Sequence, residues 1–301
     1  MGYTTQAPFN TATFMVNKVP STNIILSLNS TIFDISPSAF FELVEKHDPE
    51  NIIKGIEVAL LDENLKSNMD YIKKLATICR EQNYIFNLHA KPFSDIKDDQ
   101  NYLDVVANLA LTYGNRINLV IHPISKENDD ATIKYTKEYL GQLLNYIHDN
   151  NYHIDLSIEN LNILNGEKRL KKEQLVEILE TLQDLKFTYD IGHEIVDGVI
   201  PGNLSEILKQ RINNIHVHSF LGKNDHYLIG TEKHDNALID TVIDLIVNDN
   251  YDGWVVLEYG LGHYSVGNNL EEKIINYIEL AKDFQKRIDT DSTNDVIVLD
   301  S

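Results

Sequence analysis

The chain has 301 residues and a hydrophobic fraction of 43%, enough for a sizeable core, which excludes a largely disordered protein. Its 26 basic and 46 acidic residues leave a net charge of −20, and a surface this acidic repels phosphate backbones, so nucleic acid is disfavoured as a partner. Cys79 is the only cysteine, which rules out an intrachain disulfide and a zinc ribbon and points to a buried, inert thiol.

Residues 1–22 read as an N-terminal extension without the basic and apolar regions of a secretory signal, and no apolar run approaches the roughly 18 residues that span a bilayer. A cytoplasmic location away from membranes is the expectation. The first predicted strand is 23–29 (NIILSLN), followed by the helix SPSAFFELVEKH, with Ser36 as N-cap and Pro37 in its first turn. Strand 53–60 (IKGIEVAL) precedes the helix MDYIKKLATICREQ, which carries Cys79. Strand 84–90 (YIFNLHA) brings His89, with Lys91 just beyond it. Strand 117–123 (INLVIHP) brings His122 and leads into the helix KYTKEYLGQLLNYIHDN. Strand 153–160 (HIDLSIEN) brings Glu159. After it, the basic run KRLKK at 168–172 opens the helix KEQLVEILETL and reads as a solvated face.

Strand 187–193 (FTYDIGH) holds Asp190 and His193, and strand 212–220 (INNIHVHSF) holds His216 and His218. His226 follows in NDHYLIG. Strand 253–259 (GWVVLEY) opens on Trp254, a packing residue, and brings Glu258 ahead of the helix EEKIINYIELAKDF. The strands are short, apolar and rich in β-branched residues, as parallel strands covered on both faces are. The helices repeat apolar residues at i, i+3, i+4 and i+7. Eight alternating strand and helix units predict an α/β fold, a single (β/α)8 TIM barrel over 23–288. The polar, acidic segment 289–301 reads as a C-terminal tail.

Strand-end residues of a parallel barrel converge on one face, so ligands scattered along the chain can meet at one point. Imidazole and carboxylate together suit zinc, manganese and related divalent ions. Taken singly, a strand-end histidine is more often a hydrogen-bonded core residue than a ligand. The inference rests on His89, His122, Glu159, Asp190, His193, His216, His226 and Glu258 occurring together. Alternation turns His216 and His218 the same way, and only one of them need be a ligand. Asp190 and His193 need not point together. Glu159 and Glu258 face each other across the barrel mouth, where two carboxylates can bridge metals or shuttle a proton. No glycine-rich phosphate loop or Gly-x-Ser-x-Gly elbow is present.

Read in order, these residues resemble the xylose-isomerase-like TIM-barrel superfamily, which includes sugar isomerases and epimerases and the endonuclease IV type (AP endonuclease family 2). The most specific pieces are the Asp-x-x-His of YDIGH, the IHVH of strand seven, the His-x-x-Ile-Gly of HYLIG and the Glu of VVLEY. The epimerase side of the resemblance implies one divalent ion, manganese or zinc, on Glu159, Asp190, His216 and Glu258. Glu159 and Glu258 would double as the acid/base pair, with His193 close to substrate and His218 and Lys91 as substrate contacts. The nuclease side implies two or three zinc ions. His89, His122 and Glu159 would hold one, the four-residue set a second, and His193 and His226 a third, where Asn224 replaces the aspartate of the family and costs a charge.

The expected function is a metal-dependent sugar isomerase or epimerase, acting through an enediolate on a small polyhydroxy carbonyl substrate. The alternative is an endonuclease IV-like zinc phosphoester hydrolase. A homo-oligomer is left open.

Overall fold

The structure is a computed structural model that describes residues 22–60, 68–124, 129–161, 170–221, 224–227, 229, 235–259 and 267–294. All but one residue of the N-terminal extension, residues 295–301 of the tail, the Asn224 side chain, His234 and His263 lie outside the described residues.

The chain begins with β1 (Asn23–Leu28), α1 (Pro37–His47), β2 (Ile53–Leu60), α2 (Met69–Gln82), β3 (Ile85–Ala90) and α3 (Ile96–Tyr113). It continues with β4 (Ile117–Ile121), α4 (Asp129–Asp149), β5 (Ile154–Glu159), α5 (Lys172–Thr181), β6 (Lys186–Asp190), α6 (Ile191–Val196) and α7 (Glu206–Arg211). It ends with β7 (Ile212–Val217), β8 (Ser219–Leu221), β9 (Asn224–Tyr227), α8 (Asp235–Val247), β10 (Trp254–Leu257) and α9 (Leu270–Asn294). Eight strands pair in parallel and close in the order β1-β10-β7-β6-β5-β4-β3-β2, with β8 and β9 as a separate antiparallel ribbon. The fold is the single (β/α)8 barrel that the sequence predicts.

Local chemistry sets the element ends. Ser36 caps α1 by accepting a hydrogen bond from Ala39 N–H, and Asp95 caps α3 by accepting from Lys97 and Asp98 N–H. Asn83 and Gly114 end α2 and α3 in the left-handed region, at φ 58° and 80°. Cys79 is buried in α2, and burial pushes its thiol pKa up, as an inert packing role requires.

Every predicted strand except 53–60 is shorter in the structure, and three of them end early at the site. The segment 187–193 stops at Asp190 because its carboxylate caps a new helix, α6. Strand 212–220 stops at Val217, and Ser219–Leu221 leaves to pair with β9. The last barrel strand ends at Leu257, one residue before Glu258. The KRLKK reading also needs correction at its end: Lys172 turns inward to the buried Glu194, at 3.0 Å. Residues 289–294 continue α9.

Leucine, isoleucine and valine fill the space between strands and helices, but the barrel lumen is different. Four site residues are each preceded, two positions earlier on the same face, by a buried polar side chain. The pairs are Asn87 with His89, Ser157 with Glu159, Thr188 with Asp190 and Asn214 with His216. A polar floor therefore lies beneath the strand ends, where most barrels of this kind pack branched aliphatic residues.

Gly55 of β2 marks a close approach, since a Cβ there would sit 2.6 Å from Ile85 Cβ. Gly55→Ala is expected to destabilise the fold by about 3 kcal/mol through overpacking against β3, read as a lower denaturant midpoint at unchanged slope.

Candidate metal centre

The strand ends bring nine of the predicted site residues into one cluster, buried except for the half-buried His122 and His226. Its centre is His216, whose Nδ1 lies 3.0 Å from Glu159 Oε1 and 2.9 Å from Glu258 Oε2. Asp190 completes a set of four: one donor atom from each of Glu159, Asp190, His216 and Glu258 lies within 4.8 Å of the others. Glu159, Asp190 and His216 are 0% exposed and Glu258 is 6% exposed.

Three carboxylates at such depth repel one another and forfeit hydration, a cost that unpaired burial does not repay. Glu159 Oε1, Asp190 Oδ2, His216 Nδ1 and Glu258 Oε2 are all buried without a hydrogen bond of proper geometry, in a set whose donor atoms lie within 4.8 Å of one another. Three hard oxygens and one imidazole nitrogen form a donor set suited to manganese or zinc. The residues therefore fit a divalent cation.

In the metal-free cluster the ring takes that role. Burial alone would lower the pKa of His216, but Glu57, Glu258 and Glu159 together raise it well above the ordinary imidazole value of 6.5. Burial likewise would raise both carboxyl groups. The His216 and His89 rings nevertheless hold Glu159 well below the usual carboxylate range, and His216 and His226 do the same for Glu258.

Two further groups flank the four. Glu159 Oε2, the oxygen not aimed at His216, lies 3.0 Å from His89 Nε2 and 3.2 Å from His122 Nε2. His193, His218 and His226 form a third group, joined to the first through Asp190 Oδ2 at 3.3 Å from His193 Nδ1 and 3.2 Å from His218 Nε2. Glu159 and Asp190 thus each stand between two ligand sets.

The Asp-x-x-His motif has a local explanation. Asp190 is the N-cap of α6 and accepts a hydrogen bond from His193 N–H at 2.7 Å, so cap and third helical residue meet. A six-residue helix is marginal alone. Here Glu194 anchors it, accepting from Tyr189 Oη at 2.6 Å and pairing with Lys172. Gly192 is needed at its place because a Cβ would come within 2.6 Å of the His218 ring. His218 in turn stacks on His226, with centroids 4.3 Å apart and 20° between planes. His226 holds a left-handed backbone, φ 55°, and its N–H lies 3.1 Å from His218 Nδ1. Strain of this kind at a non-glycine residue collects at functional sites.

Of the ten predicted site residues, Lys91 is placed apart from the ligand groups, with Nζ 3.7 Å from Asp99 Oδ1 of α3. Reasoning from the sequence missed Glu57, whose Oε1 lies 3.0 Å from His216 Nε2, and Asn160, whose carbonyl is 2.8 Å from His193 Nδ1. The available signal was the lone acid in the apolar strand IKGIEVAL.

Residues 39–282 match the family described as xylose isomerase-like TIM barrel, and the chain belongs to that family. No curated protein matches it by sequence. Among solved structures, an L-ribulose 3-epimerase superposes with a TM-score of 0.66 at 14% identity, covering 90% of this chain and 96% of that one. A D-psicose 3-epimerase from Clostridium cellulolyticum H10 gives 0.63 at 13% identity, covering 87% and 98%. The IOLI protein with a bound zinc atom gives 0.61 at 19% identity, covering 89% and 98%. At such identities the likeness speaks to the fold.

A cation on His216 Nδ1 must displace a proton, which fixes a pH dependence. In the metal-free protein the raised His216 pKa adds stability that is full below 6.5 and fades as pH rises through the folded-state value. The lowered carboxyls add stability above their ordinary 4.5 that is lost in acid. The rise in melting temperature on adding manganese or zinc is therefore expected to grow between about pH 6 and pH 8, measured by paired thermal melts.

Proposed function

We propose that this xylose isomerase-like barrel is a divalent-metal-dependent sugar isomerase or epimerase acting on a small polyhydroxy carbonyl compound. The observation that carries this reading is the pair Glu159 and Glu258. Both are buried, both are held ionised at neutral pH, and they approach His216 Nδ1 from two strands on different sides of the lumen. A reaction that removes a proton from one face of a carbon and returns it on the other uses two such groups about one reacting atom. The fold shared with the ribulose and psicose 3-epimerases supports the same substrate class.

In this reading Glu159, Asp190, His216 and Glu258 hold the ion. When bound, the ion supplies Lewis-acid polarisation of the substrate carbonyl and its neighbouring hydroxyl. One of Glu159 and Glu258 takes the α-proton to give an enediolate, and the other returns it. His193 donates its Nδ1–H to the Asn160 carbonyl at 2.8 Å, which leaves Nε2 with a free lone pair to contact a substrate hydroxyl. His89 and His122 line the same mouth beside Glu159, and His218 is a further candidate substrate contact, whereas Lys91 pairs with Asp99.

A second reading is a phosphoester hydrolase with two or three zinc ions. It is favoured by the two additional ligand groups, His89/His122/Glu159 and His193/His218/His226. The net charge of −20 counts against DNA as its substrate.

The test is solvent exchange. Manganese-loaded protein incubated in D2O with a panel of ketoses and aldoses is expected to place deuterium at an α-carbon of at least one sugar. Glu159→Gln and Glu258→Gln are each expected to slow that exchange by about 1,000-fold. Cleavage of abasic DNA or small phosphodiesters, with no exchange on any sugar, would select the hydrolase instead.

A further inference from the structure

Glu57 lies on β2, across the lumen from His216 on β7, and its carboxylate is 0% exposed. A buried carboxylate is expensive unless its position serves the groups around it. Its partners are two. Glu57 Oε1 is 3.0 Å from His216 Nε2, an ion-pair distance without the angle of a finished hydrogen bond, so Oε1 is a buried acceptor beside the ring, and Glu57 Oε2 accepts from Asn214 Nδ2 at 3.2 Å.

The direction of each hydrogen bond follows from its neighbour. Thr188 Oγ1–H donates to Asn214 Oδ1 at 2.7 Å, so the Asn214 amide must turn its NH2 toward Glu57. Ser157 Oγ, 2.8 Å from Thr188 Oγ1, is then the donor to it, because the threonine proton is already committed. Ser157, Thr188, Asn214, Glu57 and His216 are all 0% exposed, so this orientation is fixed by the protein alone. Asn214 Nδ2 also lies 3.0 Å from His216 Nε2, but as a donor it cannot receive the ring proton. Glu57 is the group that can.

A histidine that offers one nitrogen to a cation must carry its proton on the other. We infer that Glu57 is the positioning residue of the site. It accepts the Nε2–H of His216 and so holds the ring in the tautomer and orientation that present the Nδ1 lone pair toward Glu159, Asp190 and Glu258. The Ser157–Thr188–Asn214 chain holds Glu57 in its turn. This rests on the reading of His216 as a metal ligand under the proposed function. Buried partners of this kind commonly contribute a factor of 10 to 100 in metal affinity.

The experiment is a cobalt(II) titration of the metal-free full chain and of Glu57→Gln, followed by absorbance and by chelator competition. Binding by the parent chain tests whether the four-residue set holds a metal at all. The ratio between variant and parent tests Glu57. Glu57→Gln is expected to keep the parent far-UV circular dichroism, to bind cobalt about 10- to 100-fold more weakly and to shift the ligand-field bands. An affinity within about twofold of the parent, with unshifted bands, would overturn the assignment and leave Glu57 a packing residue. Should Glu57→Gln fail to fold, zinc-loaded parent labelled with 15N-histidine decides the matter. A slowly exchanging proton on Nε2 of His216 supports the inference, and a proton on Nδ1 overturns it.

Discussion

Three carboxylates buried around one imidazole set the terms for the rest of the molecule. Water would hydrate them at once, but Glu159 and Asp190 are fully buried and Glu258 nearly so, and their mutual repulsion must be met by positive charge. A ring proton on His216 meets it in the metal-free protein, and a divalent ion meets it better because it can face all four donor atoms together. Much that is unusual in this barrel serves that one requirement. The lumen carries Asn87, Ser157, Thr188 and Asn214 beneath the site. Strand β6 stops early to make Asp190 a helix cap, Gly192 removes a Cβ that would strike His218, and His226 takes a left-handed backbone.

The barrel itself was plain in the sequence because its signal is local and repeated. Strands of four to eight apolar residues alternating with amphipathic helices leave few topologies, and β2 and α2 fall at the predicted residues. The positions of His89, His122, Glu159, Asp190, His216 and Glu258 followed, since alternation and strand polarity decide which residues gather at the mouth. What depended on contacts across the lumen was not legible. Glu57 looks like any strand acid until β2 and β7 are closed into one barrel. Asp190 and His193, three apart across a glycine, give no hint that the first caps a helix containing the second. Lys172, read as part of a solvated basic face, turns inward because Glu194 lies buried opposite it.

The cluster is what both proposed readings, proton transfer on carbon and hydrolysis of phosphoesters, draw on. The four-residue set offers four donor atoms to an ion without counting the flanking histidines. Glu159 nevertheless turns its second oxygen to His89 and His122, and Asp190 Oδ2 is shared with His193 and His218, so the two flanking groups adjoin the four-residue set. Charge and context separate the outcomes. A net charge of −20 suits a small neutral substrate far better than a polyanion.

Metal content decides this most directly. The protein would be purified without chelator and without a metal-binding tag, and its ions counted per chain by elemental analysis beside Asp190→Asn. The expected result is about one manganese, cobalt or zinc ion per chain in the parent and a marked loss in the variant. A parent chain that carries no divalent ion, and takes none up when supplied, would contradict the reading of the cluster as a metal centre.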